Sequence, residues 1–139
     1  MSTPTEIPAN QALLFDSGSQ DLYKALEEVL NFSAKGYTKQ VVFSTDQLLF
    51  GTYCFEPGQV NSLHKHPTSS ELLYFLRGEG LVVIQMPSGE KTLSVKSGSF
   101  VNIPEDTFHE IRNTGSDPMV VILVQSPLPC ISQRMVHSA

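Results

Sequence analysis

The chain has 139 residues, enough for one domain with a substantial buried core. Nine Lys and Arg stand against fourteen Asp and Glu, a net charge of −5, and the basic residues are scattered, which speaks against nucleic acid as a partner. Hydrophobic residues make up 40% and charged residues 17%, as in an ordinary globular domain, and no apolar run approaches the roughly 18 residues that a membrane span needs.

Residues 1–20 are rich in Ser, Thr, Pro, Asn and Gln and read as an extended arm. They carry neither a positive n-region nor a long apolar h-region, so a secretory signal is not expected and a cytoplasmic protein is. Two cysteines, Cys54 and Cys130, have no metal-type spacing, and two free thiols are the expectation. After the arm, Ser19 suits a helix cap and Asp21 a first turn. Leu22, Leu26, Val29 and Leu30 then fall on one stripe at i, i+4, i+7 and i+8, which predicts one short helix stopped by Gly36.

Everything after Gly36 reads as β. The runs QVVFS, LLFGTYCF, ELLYFLR, GLVVIQM, KTLSVK, SFVNIP, FHEIRN and MVVILVQ are short and rich in β-branched, aromatic and aliphatic residues. Gly, Pro, Asp and Ser clusters separate them, for example Glu56-Pro57-Gly58, Pro87-Ser88-Gly89 and Thr114 to Pro118. Many short strands at regular turn spacing predict an all-β sandwich or barrel. A barrel of this size has room for side chains or one small ligand, so polar residues facing inward are informative.

Three of the four histidines fall in two of these segments, and His137 sits near the C-terminus. His64 and His66, at i and i+2, project the same way from a strand. Glu71 opens the next apolar run and shares its face with Leu73 and Phe75. His109 follows 43 residues after His66 and reaches the same interior point if two hairpins fold back on each other. Imidazole with carboxylate is a common donor set for divalent transition metals. On these residues alone an exposed polar pair is the commoner outcome for H-x-H, and both readings stand.

The frame around them resembles the cupin superfamily. Its first motif, G-x5-H-x-H-x(3,4)-E-x6-G, is met by Gly58, His64, His66, Glu71 and Gly78. Its second, G-x5-P-x-G-x2-H-x3-N, is met by Gly98, Pro104, His109 and Asn113, with Asp106 in place of the glycine. Asp tolerates the positive φ that a glycine supplies in such a turn. The resemblance implies a double-stranded β-helix, a jelly-roll-like barrel, spanning about residues 37–127, with an arm and helix at 1–36 and a tail at 128–139. It also implies that His64, His66, Glu71 and His109 bind one divalent metal: iron, manganese, nickel, zinc, copper or cobalt. Two positions of an octahedral shell would stay open for water, a bidentate oxygen substrate or O2.

Other residues are candidates for lining the pocket: Tyr53 and Cys54, on opposite parities of one strand, and Gln85, Asn102 and Gln125. Asn113 reads as structural, and Asn102, by its alternation with Val101 and Ile103, suits the outer face better than the pocket. A metal-dependent enzyme acting on a small oxygen-bearing molecule is the first expectation. No second strong acid–base residue stands out in the motifs, which favours dioxygenase-type chemistry centred on the metal. Isomerase, decarboxylase and lyase chemistries, and a metal-dependent ligand-binding or sensor protein, are the alternatives, because this fold hosts them all. Small single-barrel cupins often pair, so the resemblance also implies a homodimer, with the N-terminal arm exchanged.

Overall fold

The structure is a computed structural model and describes residues 2–5 and 21–135. It has eleven strands, β1 Ser2–Thr5, β2 Thr38–Ser44, β3 Leu49–Phe55, β4 Val60–Lys65, β5 Ser70–Arg77, β6 Glu79–Met86, β7 Gly89–Lys96, β8 Phe100–Ile103, β9 His109–Asn113, β10 Met119–Ser126 and β11 Ser132–Met135. They form two antiparallel sheets, in the orders β1-β11-β4-β9-β6-β7 and β2-β3-β10-β5-β8. This is the double-stranded β-helix expected from the sequence. Each of the eight β runs read from the sequence overlaps one of these strands, and burial of one alternating side is clearest in β5, β6, β8 and β9.

The two sheets close over one apolar core. Tyr53 and Phe55 of β3, Leu73 and Phe75 of β5, Ile111 of β9 and Leu123 of β10 all pack into it. Burying a side chain of this kind contributes about 1.5–3 kcal/mol each, which sets the inward parity of every strand. Among the described residues no helix is long and apolar enough to cross a membrane.

The expected N-terminal helix is not there. Residues 21–25 have no regular structure, and the only helical turn among the described residues is a 3-10 turn at Leu26–Val29. Leu22 of the expected apolar stripe is 95% exposed. Side chains from the rest of the barrel hold the C-terminal end of this segment instead. Val29 O accepts from Thr52 Oγ1 at 2.8 Å, Asn31 O accepts from Thr38 Oγ1, and Ser33 O accepts from Gln59 Nε2 at 2.7 Å. Alternate carbonyls at the C-terminal end of this stretch are therefore bonded to side chains of β2, β3 and the residue before β4, and Leu30 takes an extended conformation. The expected cap at Ser19 lies outside the described residues, as does His137.

The C-terminal segment expected as a tail contains β11, which pairs with β4 through Gln133–Lys65 and Arg134–His64 and with β1 of the same chain. The Arg134 guanidinium reinforces this pairing by donating to Asn61 Oδ1 at 3.2 Å, Ser62 O at 3.1 Å and Tyr37 Oη at 2.8 Å.

Candidate metal centre

Strand register assembles the site. His64 lies directly opposite His109 across β4 and β9. In the other sheet Glu71 lies opposite Gln125 across β5 and β10, and Tyr53 opposite Lys39 across β3 and β2. The six-stranded sheet thus supplies two of the histidines, with His66 just beyond the end of β4, and the five-stranded sheet supplies the carboxylate. Beyond the pairing of β4 with β9, the backbone N–H of Asp106 donates to His66 O at 2.8 Å and ties the ends of the two histidine segments together. Asp106 adopts φ 57°, the left-handed conformation expected for the residue that stands in the glycine position.

Donor atoms of His64, His66, Glu71 and His109 all lie within 4.8 Å of one another, and all four residues are buried. The ring centroids of His64 and His109 are 4.2 Å apart. Each ring is oriented by its outer nitrogen. His64 Nδ1 is 2.7 Å from Ser62 O, His109 Nδ1 is 2.9 Å from Thr107 O, and His66 Nδ1 is 3.2 Å from Ile131 O. A carbonyl oxygen only accepts, so each Nδ1 carries the proton, and in a neutral ring each Nε2 is a bare lone pair. Burial lowers the pKa of His64 well below its ordinary value and also lowers that of His66, and the neighbouring histidines add to both effects.

Glu71 completes the set. Its Oε2 accepts from Tyr53 Oη at 2.9 Å and from Gln125 Nε2 at 2.5 Å. Its Oε1 has no hydrogen-bond partner, and neither has Nε2 of His66 or of His109, although all three atoms are buried. His109 Nε2 nevertheless sits 3.2 Å from Glu71 Oε1. Two lone pairs held this close in a dry interior repel unless a cation lies between them. Burial alone would raise the Glu71 carboxyl, but His109 and His66, whenever their rings carry the extra proton, together with Lys39 outweigh it and hold the group well below the usual carboxylate range. Three neutral imidazoles and one carboxylate, with unsatisfied atoms converging, are residues that fit a divalent transition metal.

The cupin domain family matches residues 51–125, which contain all four of these residues. The chain is a cupin. Among characterised and uncharacterised relatives, this cupin is 36% identical over 70 residues to an uncharacterised protein of Methanocaldococcus jannaschii, covering 50% of this chain and 53% of that one. It is 28% identical over 86 residues to a glucose-6-phosphate isomerase of Thermococcus kodakarensis, covering 55% of this chain and 46% of that one. The chain spans about half the length of these curated relatives. Its fold is similar to that of an uncharacterised double-stranded β-helix protein of Klebsiella pneumoniae, with a TM-score of 0.75 at 18% identity, over 84% of this chain and 100% of that one.

Three of the candidate pocket residues lie away from the cluster, Asn102 among them on the outer face that its alternation with Val101 and Ile103 favoured. Gln85 does not face the barrel interior: Val82 and Ile84 take the inward parity of β6, and Gln85 shares the outer face with Val83. Asn102 is exposed between buried Val101 and Ile103, opposite the exposed Leu72. Cys54 points away from the interior, on the side of β3 covered by residues 29–33, beside Thr38 and Asn31. It is buried there, and burial raises its thiol pKa. Tyr53 and Gln125 do meet the cluster, through Glu71.

Three neighbours were not legible as site residues. Lys39, 4% exposed, donates from Nζ to Gln125 Oε1 at 2.8 Å. Its signal was present: Lys39 is in phase with Val41, which is in the core. Cys130 Sγ and Ser132 Oγ lie 3.4 Å and 3.2 Å from His66 Nδ1. They carried no signal, because nothing in the local sequence says that a segment 64 residues later folds onto His66. Both cysteines are free.

Proposed function

We propose that His64, His66, Glu71 and His109 hold one divalent transition metal, and that this cupin is a metal-dependent enzyme acting on a small oxygen-bearing molecule. The observation that carries the reading is the pair of unsatisfied buried atoms, His109 Nε2 and Glu71 Oε1, facing each other at 3.2 Å. The bound metal would supply Lewis-acid polarisation of a substrate oxygen and, if it is redox-active, a partner for O2. The chain's own part is positioning. Ser62 O, Thr107 O and Ile131 O hold the three imidazoles, and Tyr53 and Gln125 hold Oε2 of Glu71, so that Oε1 is the oxygen left for the metal. Tyr53 serves as a donor: burial and the Glu71 carboxylate raise its pKa well above the ordinary value, so it is no base. This supports chemistry centred on the metal, and dioxygenase-type reactions come first.

Isomerisation is the second reading, favoured by the similarity to the glucose-6-phosphate isomerase of Thermococcus kodakarensis. Elemental analysis of protein purified without added metal tests the common premise. Near-stoichiometric metal in the native protein, lost in His66→Ala and His109→Ala, supports it, and a substoichiometric mixture unaffected by either substitution sinks it. Oxygen uptake with iron- or manganese-loaded protein and a panel of diketones, catechols, hydroxy acids and thiols then separates the readings. Turnover without oxygen uptake favours isomerase, decarboxylase or lyase chemistry, and tight binding of one ligand without turnover favours a binding or sensor protein.

A homodimer is part of the same proposal. Leu72 is 54% exposed and Phe100 79% exposed on the outer face of the five-stranded sheet, where the Phe100 ring lies 4.8 Å from that of Tyr74. Apolar surface of this kind suits a second copy. Light scattering at micromolar concentration checks it, with a clean monomer as the contrary result.

A further inference from the structure

Lys39 is a buried cation beside a site that already calls for a dication. It sits on β2 opposite Tyr53, on the same strand face as the core residue Val41. Its Nζ is 2.8 Å from Gln125 Oε1, and the other end of that amide donates to Glu71 Oε2 at 2.5 Å. The amide orientation is dictated by both neighbours, since an amine nitrogen bound to hydrogen donates and a carboxylate accepts. Lys39 is thus one amide away from the metal ligand Glu71, without touching it.

Two features make this lysine more than a counter-charge for Glu71. The first is satisfaction: an ammonium has three N–H donors, and among the described residues Gln125 takes up one of them. The second is the sum of charges. Without metal, Lys39 and Glu71 cancel. With a divalent ion in place, the interior holds the Glu71 carboxylate against a dication and the Lys39 ammonium, one amide apart. Excess positive charge in a dry interior is costly unless an anion accompanies it.

We propose that Lys39 is a specificity-determining residue: it selects a small acid that chelates the metal through one end and presents a second carboxylate, or an equivalent anionic group, to the Lys39 ammonium. The inference rests on the metal reading above and names its substrate class. Hydroxy or keto acids with a further acidic group fit, and neutral diketones or catechols lack the partner for Lys39. The Gln125 amide then orients both the substrate-binding cation and the metal-binding carboxylate.

The test uses cobalt(II)-loaded protein, whose visible absorption reports ligand binding at the metal without any turnover. Lactate and malate are the probes: both offer a carboxylate and a hydroxyl, and malate adds a distal carboxylate. In the native protein malate is expected to bind at least tenfold more tightly than lactate. In Lys39→Met, an isosteric neutral replacement, that gap is expected to shrink to about twofold, read as the ratio of the two affinities within cobalt-saturated variant so that any change in cobalt affinity cancels. A gap that persists in Lys39→Met overturns the proposal, since the distal carboxylate is then recognised elsewhere. Equal affinities in the native protein overturn it as well, whether or not the variant folds. Failure of the native protein to take up cobalt overturns the metal reading itself, and this proposal with it.

Discussion

Tyr53 donates its hydroxyl to Oε2 of Glu71 at 2.9 Å, and the other carboxylate oxygen has no hydrogen-bond partner. One oxygen is held and the other is left over. Tyr53→Phe removes the donor and little else, because the ring stays in the core against Tyr37 and Phe55. Loss of such an outer-shell hydrogen bond typically costs 10–100-fold in metal affinity. Chelator competition should show a loss of about tenfold or more in Tyr53→Phe, with the melting temperature of the metal-free protein nearly unchanged.

Metal-free protein should be acid-labile. Burial lowers the pKa of His64 and of His66 in the folded state below the ordinary 6.5. The unfolded chain therefore binds more protons than the folded one in the window below that value, and stability rises with pH there. The contribution is present above pH 6.5 and is lost as pH falls below it. Glu71, also lowered, acts with the same sign further into acid, below its ordinary 4.5. Melts of chelator-treated protein on either side of pH 6.5 should show the lower Tm on the acid side, and metal should flatten the dependence by occupying the nitrogens that protons would take. A pH-independent melt of the metal-free protein would contradict this.

Gly78, which closes the first motif, and Asp106, which stands in a glycine position of the second, should respond in opposite ways to the same kind of exchange. Gly78 has φ +85°, and a Cβ there would lie 2.8 Å from Met119 Cα and Pro118 O. Strain and backbone clash together put the cost of Gly78→Ala at roughly 2 kcal/mol or more. Asp106→Gly relieves a left-handed residue and loses only an exposed ion pair to Lys65 at 2.9 Å, so it should stay within about 0.5 kcal/mol of the native protein. Denaturant melts of the two variants read the contrast directly.

His66 depends on the C-terminal strand in a way that His64 and His109 do not. Their rings are held by carbonyls two residues back, whereas the ring of His66 is held from Ile131 O, 65 residues away. Removing residues 130–139 should weaken metal binding by about tenfold or more, by freeing one imidazole, while the circular dichroism of the barrel persists. Retention of full affinity would show that His66 needs no support from β11.

Most of the architecture was readable because strands announce themselves through alternation. ELLYFLR put Glu71 on the face of Leu73 and Phe75, and all three are buried together. The left-handed turn at Asp106 was readable for a similarly local reason, since few residues tolerate that φ. The segment DLYKALEEVLNF was misleading because its stripe of Leu22, Leu26, Val29 and Leu30 is a local pattern too. Thr38, Thr52 and Gln59 bond to the carbonyls of Asn31, Val29 and Ser33 and hold its end along the barrel, and a helix propensity of a few tenths of a kcal/mol per residue is a weak prior against such tertiary contacts.

The sequence by itself determined the β-rich chain, through short alternating runs separated by turn residues, and its resemblance to the cupin motifs pointed to the four residues that meet. Both are carried by short stretches of fixed spacing. Tertiary structure alone decided what surrounds the four: that Gln125 stands opposite Glu71, that Lys39 reaches Gln125, and that the segment after Pro129 closes on His66. These contacts join residues 54 to 86 positions apart. They are set by which strands neighbour one another and in which register, and no local pattern carries that information.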